Sequence, residues 1–293
     1  MLLTGRRNTI HAWLLLAPAL ALFALFTHYP IIATAWHSLM STPRPRRPSR
    51  FVGLDNYESM LADPIFWKAL WNNLIYAVGT IPLSIALALA MALFVNSRIK
   101  GRGFLRMAYF TPTVLPMIAV ANIWLFFFTP DYGLFDQLLK PFGFGATNWL
   151  GTRDTALWCI IVVTVWKEAG FFMIFYLAAL QQIAPDLREA AAIEGAGRFY
   201  FFRRVVVPLL MPTTLFILVN AVINAFRLVD HIFVMTRGGP DNATAVLLFY
   251  IYEVAFKFWD QGLASAMSMV LLALLASIAI AQFVFADRKI HYQ

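Results

Sequence analysis

Long apolar runs dominate the chain and recur six times, at about 12–33, 73–96, 105–129, 156–180, 213–235 and 263–285. Each is near the roughly 20 helical residues that cross about 30 Å of hydrocarbon. The runs are unbroken rather than alternating, so they predict helices and not the short strands of a membrane barrel. The connections between them are too short for a second domain. The pattern therefore predicts an all-α integral membrane protein with six transmembrane helices, a single domain over residues 1–293. The first run follows Arg6 and Arg7 as a secretory signal would, but it exceeds the roughly 7–15 apolar residues of a signal core and reads as an uncleaved first span.

The connections carry their own signals. Pro43, Pro45 and Pro48 predict a stiff extended segment after the first span. Asp55 with Glu58, and Asp63 before Pro64, read as helix starts, predicting two short surface helices ahead of the second span. Aromatics and scattered charge around Tyr250, Tyr252, Phe256, Phe258 and Trp259 predict a helix lying at the outer interface. The connection over 185–212 predicts a helix–turn–helix. Asp186 caps its first helix, Glu189 takes the third helical position, an alanine run follows, and Gly195 ends it. A second short helix from about Arg198 would align Phe199, Phe202 and Val206, with Arg203 and Arg204 at the headgroups.

Composition agrees with this picture. The chain is 61% hydrophobic and 13% charged, with a mean hydropathy of +0.70, whereas a soluble domain is nearer a quarter charged. Its formal charge of +8 is not gathered on a soluble domain, so nucleic acid is not the implied partner; membrane orientation accounts for it better. Cys159 is the single cysteine, which excludes a disulfide framework. With the N-terminus inside, twelve basic residues are cytoplasmic: Arg6, Arg7, Arg98, Lys100, Arg102, Arg106, Arg188, Arg198, Arg203, Arg204, Arg288 and Lys289. Nine are then outside: Arg44, Arg46, Arg47, Arg50, Lys68, Lys140, Arg153, Arg237 and Lys257. The bias favours cytoplasmic termini, although the Arg44–Arg50 cluster works against it. That cluster reads either as a solvated loop or as a basic surface steering an acidic partner.

Polar residues inside spans are costly and are functional candidates. In span five, Asn220, Asn224, Arg227 and His231 recur at i, i+4, i+7 and i+11, which places them within about 60° on a helix. Asp230 stands three residues from Arg227, close enough in a helix to neutralise it. The stripe predicts a translocation path, with amide and guanidinium groups available to sugar hydroxyls or a phosphate. Hydrogen bonding between helices is the competing role, most evenly balanced at Asn220. Span four adds Lys167 and Glu168, which read as a self-neutralising pair, as a helix-packing pair or as a solute contact. Asn122 beside Trp124 in span three is a weaker path candidate.

The 185–212 connection also contains Glu189-Ala190-Ala191, Gly195, Val205, Val207 and Pro208. This is the spacing Glu-Ala-Ala, three residues, Gly, nine residues, aliphatic, any residue, aliphatic, Pro. Glu194 follows Ile193 where an aspartate is common. The pattern resembles the cytoplasmic signature of bacterial ABC importer permeases. The segments Phe51-Val52-Gly53-Leu54-Asp55-Asn56-Tyr57, Trp166-Lys167 to Gln181, and Thr236-Arg237-Gly238-Gly239-Pro240 resemble its carbohydrate branch, in particular the first permease of the maltose and glycerol-3-phosphate systems. The resemblance implies a type I importer fold in the bacterial inner membrane, with both termini cytoplasmic. It also implies a coupling helix carrying Glu189, Ala190, Ala191, Glu194, Gly195 and Pro208 that docks on an ATPase. A second homologous permease, two ATPase copies and an extracytoplasmic solute-binding protein are implied as partners, for alternating-access import of a sugar, polyol or glycerol-3-phosphate.

No Gly-x-x-x-x-Gly-Lys-Ser/Thr, His-Glu-x-x-His or Gly-x-Ser-x-Gly motif occurs, and the five histidines lack ligand spacing. The chain is thus expected to be no enzyme and to hold no cofactor or metal of its own, ATP being bound by partners. A stand-alone secondary transporter would instead need inverted repeats or a chain of carboxylates through the membrane. A membrane scaffold would leave the polar stripe unexplained.

Overall fold

The structure is a computed structural model that describes residues 3–97, 100–143, 147–227 and 229–287. Arg98, Arg288 and Lys289, counted above for orientation, lie outside those residues. The fold is helical, and its contacts divide into two compact units, Met1–Asp63 with Ile251–Ala273, and Pro64–Tyr250 with Leu274–Gln293.

In the first unit, α1 (Leu3–Phe23) passes through a π-helical turn (Ala24–His28) into α2 (Tyr29–Ser38). Together they give one apolar helix over His11–Ser38. Trp13, Leu15, Phe26 and Trp36 are exposed on it, as suits a lipid-facing surface. The proline-rich segment that follows is not extended. Arg44 and Arg47 exchange both backbone hydrogen bonds, at 3.0 and 2.9 Å, and Ser41 N–H donates to Arg50 at 2.8 Å. A tight hairpin results, turned at Arg46 (φ +68°), which spreads four exposed arginines over one ribbon. The three prolines mislead because they lack only a donor, and this ladder takes its donors from Ser41, Arg44 and Arg47. The ribbon's base is pinned: Asn56 Nδ2 donates to the carbonyls of Ser38 and Met40 at 2.8 and 2.9 Å, and Thr42 Oγ1 donates to Asp260 at 2.5 Å. Asn56 lies on α3 (Asp55–Ala62), the first of the two anticipated surface helices.

The second of those helices is not separate. In the second unit, α4 (Pro64–Asn96) runs unbroken from Pro64, roughly 50 Å at 1.5 Å per residue. Pro64 opens it because the first helical turn has no use for its missing N–H. The third apolar run does break. The helices α5 (Arg102–Val114) and α6 (Met117–Phe127) meet at 103°. Pro116 pushes Leu115 into extended backbone (φ −72°, ψ 136°), so the continuous span expected over 105–129 is a bent pair. After it come α7 (Leu134–Leu139) and a short 3₁₀ turn (Lys140–Phe142), and then the long α8 (Arg153–Gln182).

Helices α4 and α8 form the spine of this unit. Ala88 and Ala92 of α4 and Ala169 of α8 are fully buried in one apolar cluster with Phe172, Met173 and Tyr176. Small residues let membrane helices approach closely where lipid supplies no hydrophobic driving force. Gly170 is the extreme case: a Cβ there would lie 2.1 Å from the backbone oxygen of Tyr109 on α5.

Beyond α8 come α9 (Pro185–Ile193) and α10 (Arg198–Phe201), then a π-helical turn (Phe202–Val206) leading into α11 (Val207–Arg227). The second helix expected in the connection is therefore the first turns of the fifth span, with Phe202 packed on the cluster, Val206 buried and Phe199 exposed. That span is interrupted too. Val229 (φ −129°, ψ −11°) separates α11 from α12 (Asp230–Met235). The described residues end with α13 (Leu247–Tyr252), a π-helical turn (Glu253–Lys257) and α14 (Gln261–Asp287). At and just after this turn Phe256, Phe258 and Trp259 are exposed. Among the described residues five helices are long and apolar enough to cross a membrane, and the bent α5–α6 pair makes six if taken as one span.

Candidate functional site

Two polar features stand out in the second unit: a buried network where α4, α8, α11 and α12 meet, and the loop around α9. The network begins with Glu168 on α8, whose Oε2 accepts a 2.9 Å hydrogen bond from Asn224 Nδ2 on α11. These two side chains, with Thr80, Ser84 and Thr164, border a small recess. The Lys167–Glu168 pair does not neutralise itself. Consecutive helical residues point about 100° apart, and Lys167 Nζ donates to the carbonyls of Pro112, Thr113 and Leu115 at 3.1, 3.3 and 2.6 Å. All three ammonium protons thus serve backbone oxygens freed where α5 ends. Lys167 repairs a broken helix, and Glu168 is left to the recess.

The span-five stripe divides the same way. Asn224 reaches Glu168, while Asn220 turns its amide back to Phe216 O at 2.8 Å. Arg227 and Asp230 are both exposed, and among the described residues they form no ion pair. The neutralisation expected from i, i+3 spacing needs one continuous helix, and the chain leaves helical geometry at Val229. His231 does not line a path: it is 0% exposed. Its Nε2 lies 3.2 Å from Tyr76 Oη and 3.3 Å from Thr164 Oγ1, themselves 2.9 Å apart. Thr164 donates its own proton to Ile160 O. The Nε2–H tautomer therefore satisfies the cluster, because the other would bury an unpaired N–H at Nδ1. This histidine fastens α12 to α4 and α8. Asn122 bonds back to Ile118 O at 2.8 Å and is exposed.

Sequence reasoning overlooked the matching stripe on α4. Asn73, Tyr76, Thr80 and Ser84 are all buried and recur at i, i+3, i+7, i+11, one helical face like the i, i+4, i+7, i+11 stripe of span five. Asn73 Nδ2 donates to Ala225 O at 3.2 Å and its Oδ1 accepts from Leu247 N–H at 3.3 Å. Asn72 Nδ2 donates to Asn242 O and Ala245 O at 2.7 and 3.0 Å. Arg153 pairs with Asp241, and Lys68 donates to the Asp241 carbonyl. The Gly-Gly-Pro loop between α12 and α13 is thereby tied to α4 and α8. Thr244 is buried inside it, donating to Gly239 O at 2.8 Å.

In the connection after α6, Asp136 ties Asp131, Thr147 and Trp149 together. Its carboxylate accepts from Asp131 N–H, Trp149 Nε1–H and Thr147 N–H at 2.9, 2.7 and 3.2 Å. Those bonds, the Asp131 amide foremost, hold its pKa below the ordinary carboxylate range against the opposing effect of burial.

The α9 loop has the opposite character. None of the residues of α9 is buried. Pro185 takes the first helical position, with Ala184 as the N-cap, so Asp186 sits within the first turn rather than capping it. There it still favours the positive helix end. Gly195 does end the helix. At φ +73° it sits in the left-handed region, Ala196 N–H donates to Ala191 O at 2.8 Å, and Gly195 N–H donates to Ala192 O at 3.1 Å. Both bonds of a Schellman cap are formed. Around it Ile193 is 87% and Phe199 75% exposed, an apolar surface beside Glu189 and Glu194.

Residues 81–291 match the family described as binding-protein-dependent transport system inner membrane component. The chain is 36% identical over 270 residues, 92% of its length and 90% of the relative's, to the trehalose/maltose transport system permease protein MalF of Thermococcus litoralis. It is 32% identical over 282 residues, 96% of its length and 95% of the relative's, to the sn-glycerol-3-phosphate transport system permease protein UgpA of Yersinia pestis. In fold it is similar to a chain of a bacterial ABC transporter involved in import of the acidic polysaccharide alginate, with a TM-score of 0.82, 22% identity and 98% of both chains covered.

Proposed function

The chain belongs to the family of binding-protein-dependent transport system inner membrane components, and on that premise we propose that it is one of two permease subunits of an ATP-driven importer for a sugar or sugar-like solute, polyols and glycerol-3-phosphate included. In this reading the bent α5–α6 pair counts as one span, giving six in a single permease domain. Both termini are cytoplasmic. The connection bearing α9 then faces the cytoplasm, and the Arg44–Arg50 hairpin and the Gly-Gly-Pro loop face outward.

The observation that carries the proposal is α9 itself. It is a helix held at its C-terminal end by a full cap, burying none of its own residues and presenting Ile193 to solvent beside the exposed Phe199 of α10. A short helix is marginal alone, and an exposed apolar patch marks an interaction surface. We assign Glu189, Ala190, Ala191, Glu194 and Gly195 to docking on an ATPase subunit, and Pro208 to the adjoining entry into span five. The partners are a second homologous permease, two ATPase copies that bind the ATP, and an extracytoplasmic solute-binding protein. Asn224 and Glu168 line the solute path at the recess, with Arg227, Asn220, Asp230 and Asn122 assigned to the path beyond it. Closure of the ATPase pair pushes α9 and switches the paired permeases between outward- and inward-facing states. Solute alone biases that switch only by its difference in affinity for the two states.

The test is purification of the chain after co-expression with its neighbouring ABC-system genes, followed by reconstitution. A second permease and two ATPase copies should co-purify, and uptake should require all of them together with ATP. Within the reconstituted importer, Asn224→Ala and Arg227→Ala should raise the half-saturating solute concentration. Uptake by this chain alone, without ATP, would overturn the reading.

A further inference from the structure

A backbone carbonyl at the break in span five and a backbone N–H at the start of α13 both lack helical partners, and one side chain serves both. Ala225 lies in the last turn of α11, so its carbonyl would normally be met by the amide four residues on, at Val229, whose backbone is not helical. Leu247 opens α13, so its N–H has no carbonyl four residues back. Asn73 on α4 is 0% exposed and stands between them, its Nδ2 donating to Ala225 O at 3.2 Å and its Oδ1 accepting from Leu247 N–H at 3.3 Å. The amide's orientation follows from its neighbours: the flipped form would set a carbonyl against a carbonyl and an amine against an amide N–H. Aspartate accepts without donating, leucine does neither, and glutamine reaches a methylene too far.

Asn224, the residue before Ala225, borders the recess, and Arg227, two residues after it, is the last residue of α11. We infer that Asn73 is a positioning residue for solute recognition: it fixes the end of α11, and with it Asn224 and Arg227, relative to α4 and the Gly-Gly-Pro loop. This rests on the proposed solute path for its functional part and not for its structural part. Asn72 supplies a matched control. It lies on the same helix, is 7% exposed, and holds the same loop through Asn242 O and Ala245 O, without touching α11.

Asn73→Leu and Asn72→Leu should be compared in the assembled importer by hydrogen exchange over residues 225–232, with Asn73→Ala as a second variant that adds no bulk. Losing one partner of two buried groups should speed exchange in that segment roughly tenfold in both Asn73 variants and less than about twofold in Asn72→Leu. In proteoliposomes, with whichever of maltose, trehalose and glycerol-3-phosphate the wild-type importer accumulates, the Asn73 variants should raise the half-saturating concentration several-fold. Their basal ATP turnover per importer should stay near wild type. Unchanged exchange over 225–232 would overturn the inference, and so would equal effects at Asn72 and Asn73. Failure of both Asn73 variants to assemble would make Asn73 a folding residue, which also overturns it. If Asn224→Ala and Arg227→Ala leave half-saturation unchanged, the solute path fails instead; if they raise it and Asn73→Leu does not, the positioning role fails.

Discussion

Replacing Gly195 separates backbone conformation from side-chain contact at the end of α9. Its φ is +73°, and a Cβ built there meets nothing within 4 Å, so no substitution clashes and the cost is conformational. An L-residue held in left-handed geometry loses about 1–2 kcal/mol. Asparagine tolerates that region best, and a β-branched residue is an outlier in it. The nine-residue helix has little stability of its own to absorb the loss. About 1–2 kcal/mol shifts the population of the capped turn by roughly 5- to 30-fold, releasing the bonds from Ala196 and Gly195 to Ala191 and Ala192. The expected order of uptake by the reconstituted importer is Gly195, then Asn, then Ala, then Val. Hydrogen exchange over residues 191–196 should rise in the same order, while insertion and assembly stay unchanged. If Gly195→Val transports like wild type, a rigid α9 is not needed for coupling. If Gly195→Asn is as damaging as Gly195→Val, bulk at a docking face is responsible and the conformational argument is wrong.

Three further outcomes follow from the packing. Gly170→Ala should lower the thermal stability of the purified importer more than Gly79→Ala. The first places a methyl 2.1 Å from backbone, the second 2.8 Å from the mobile end of Ile161, and overpacking costs about 1–3 kcal/mol where backbone must move. Lys167→Met should cost about 1–3 kcal/mol in thermal unfolding by stranding the carbonyls of Pro112, Thr113 and Leu115; a cost near that of an exposed lysine would refute the capping role. Asp136 contributes stability to its loop that is fully present above the unfolded carboxylate pKa of about 3.9 and is lost as pH falls through its lowered folded value. Acidification below about pH 4 should therefore increase exchange over residues 131–149, and Asp136→Asn should remove that pH dependence.

That the chain is helical with several long apolar helices, and roughly where they lie, was legible because apolar length is a direct record of bilayer thickness, and the helix of the α9 loop was legible because its turn residues sit at characteristic spacings. The helix breaks were harder to see. Pro116 lies inside an apolar run that hydropathy reads as continuous, and Val229 carries no breaking signal, since its departure from helix depends on what Asn73 and His231 offer from other elements. The Arg227–Asp230 pair was misread because i, i+3 spacing presumes one continuous helix, and the chain leaves it at Val229; at Lys167 the helix-packing role is the one seen, through carbonyls freed at a break on another helix that spacing along its own helix does not reveal. The α4 stripe was readable by the rule applied to span five. Its asparagines sit close to the loop end of the run, where polar residues attract less notice.

Lys167 also bears on how the chain enters the membrane. A helix end in hydrocarbon cannot wait unpaired for its partner, since each exposed carbonyl there costs several kcal/mol. The donors for the end of α5 come from α8, about fifty residues later in synthesis. Spans three and four are thus one unit of integration: a nascent chain halted after Phe127 should hold its third segment in the translocation channel or at the interface, and release it to lipid only with the arrival of Lys167.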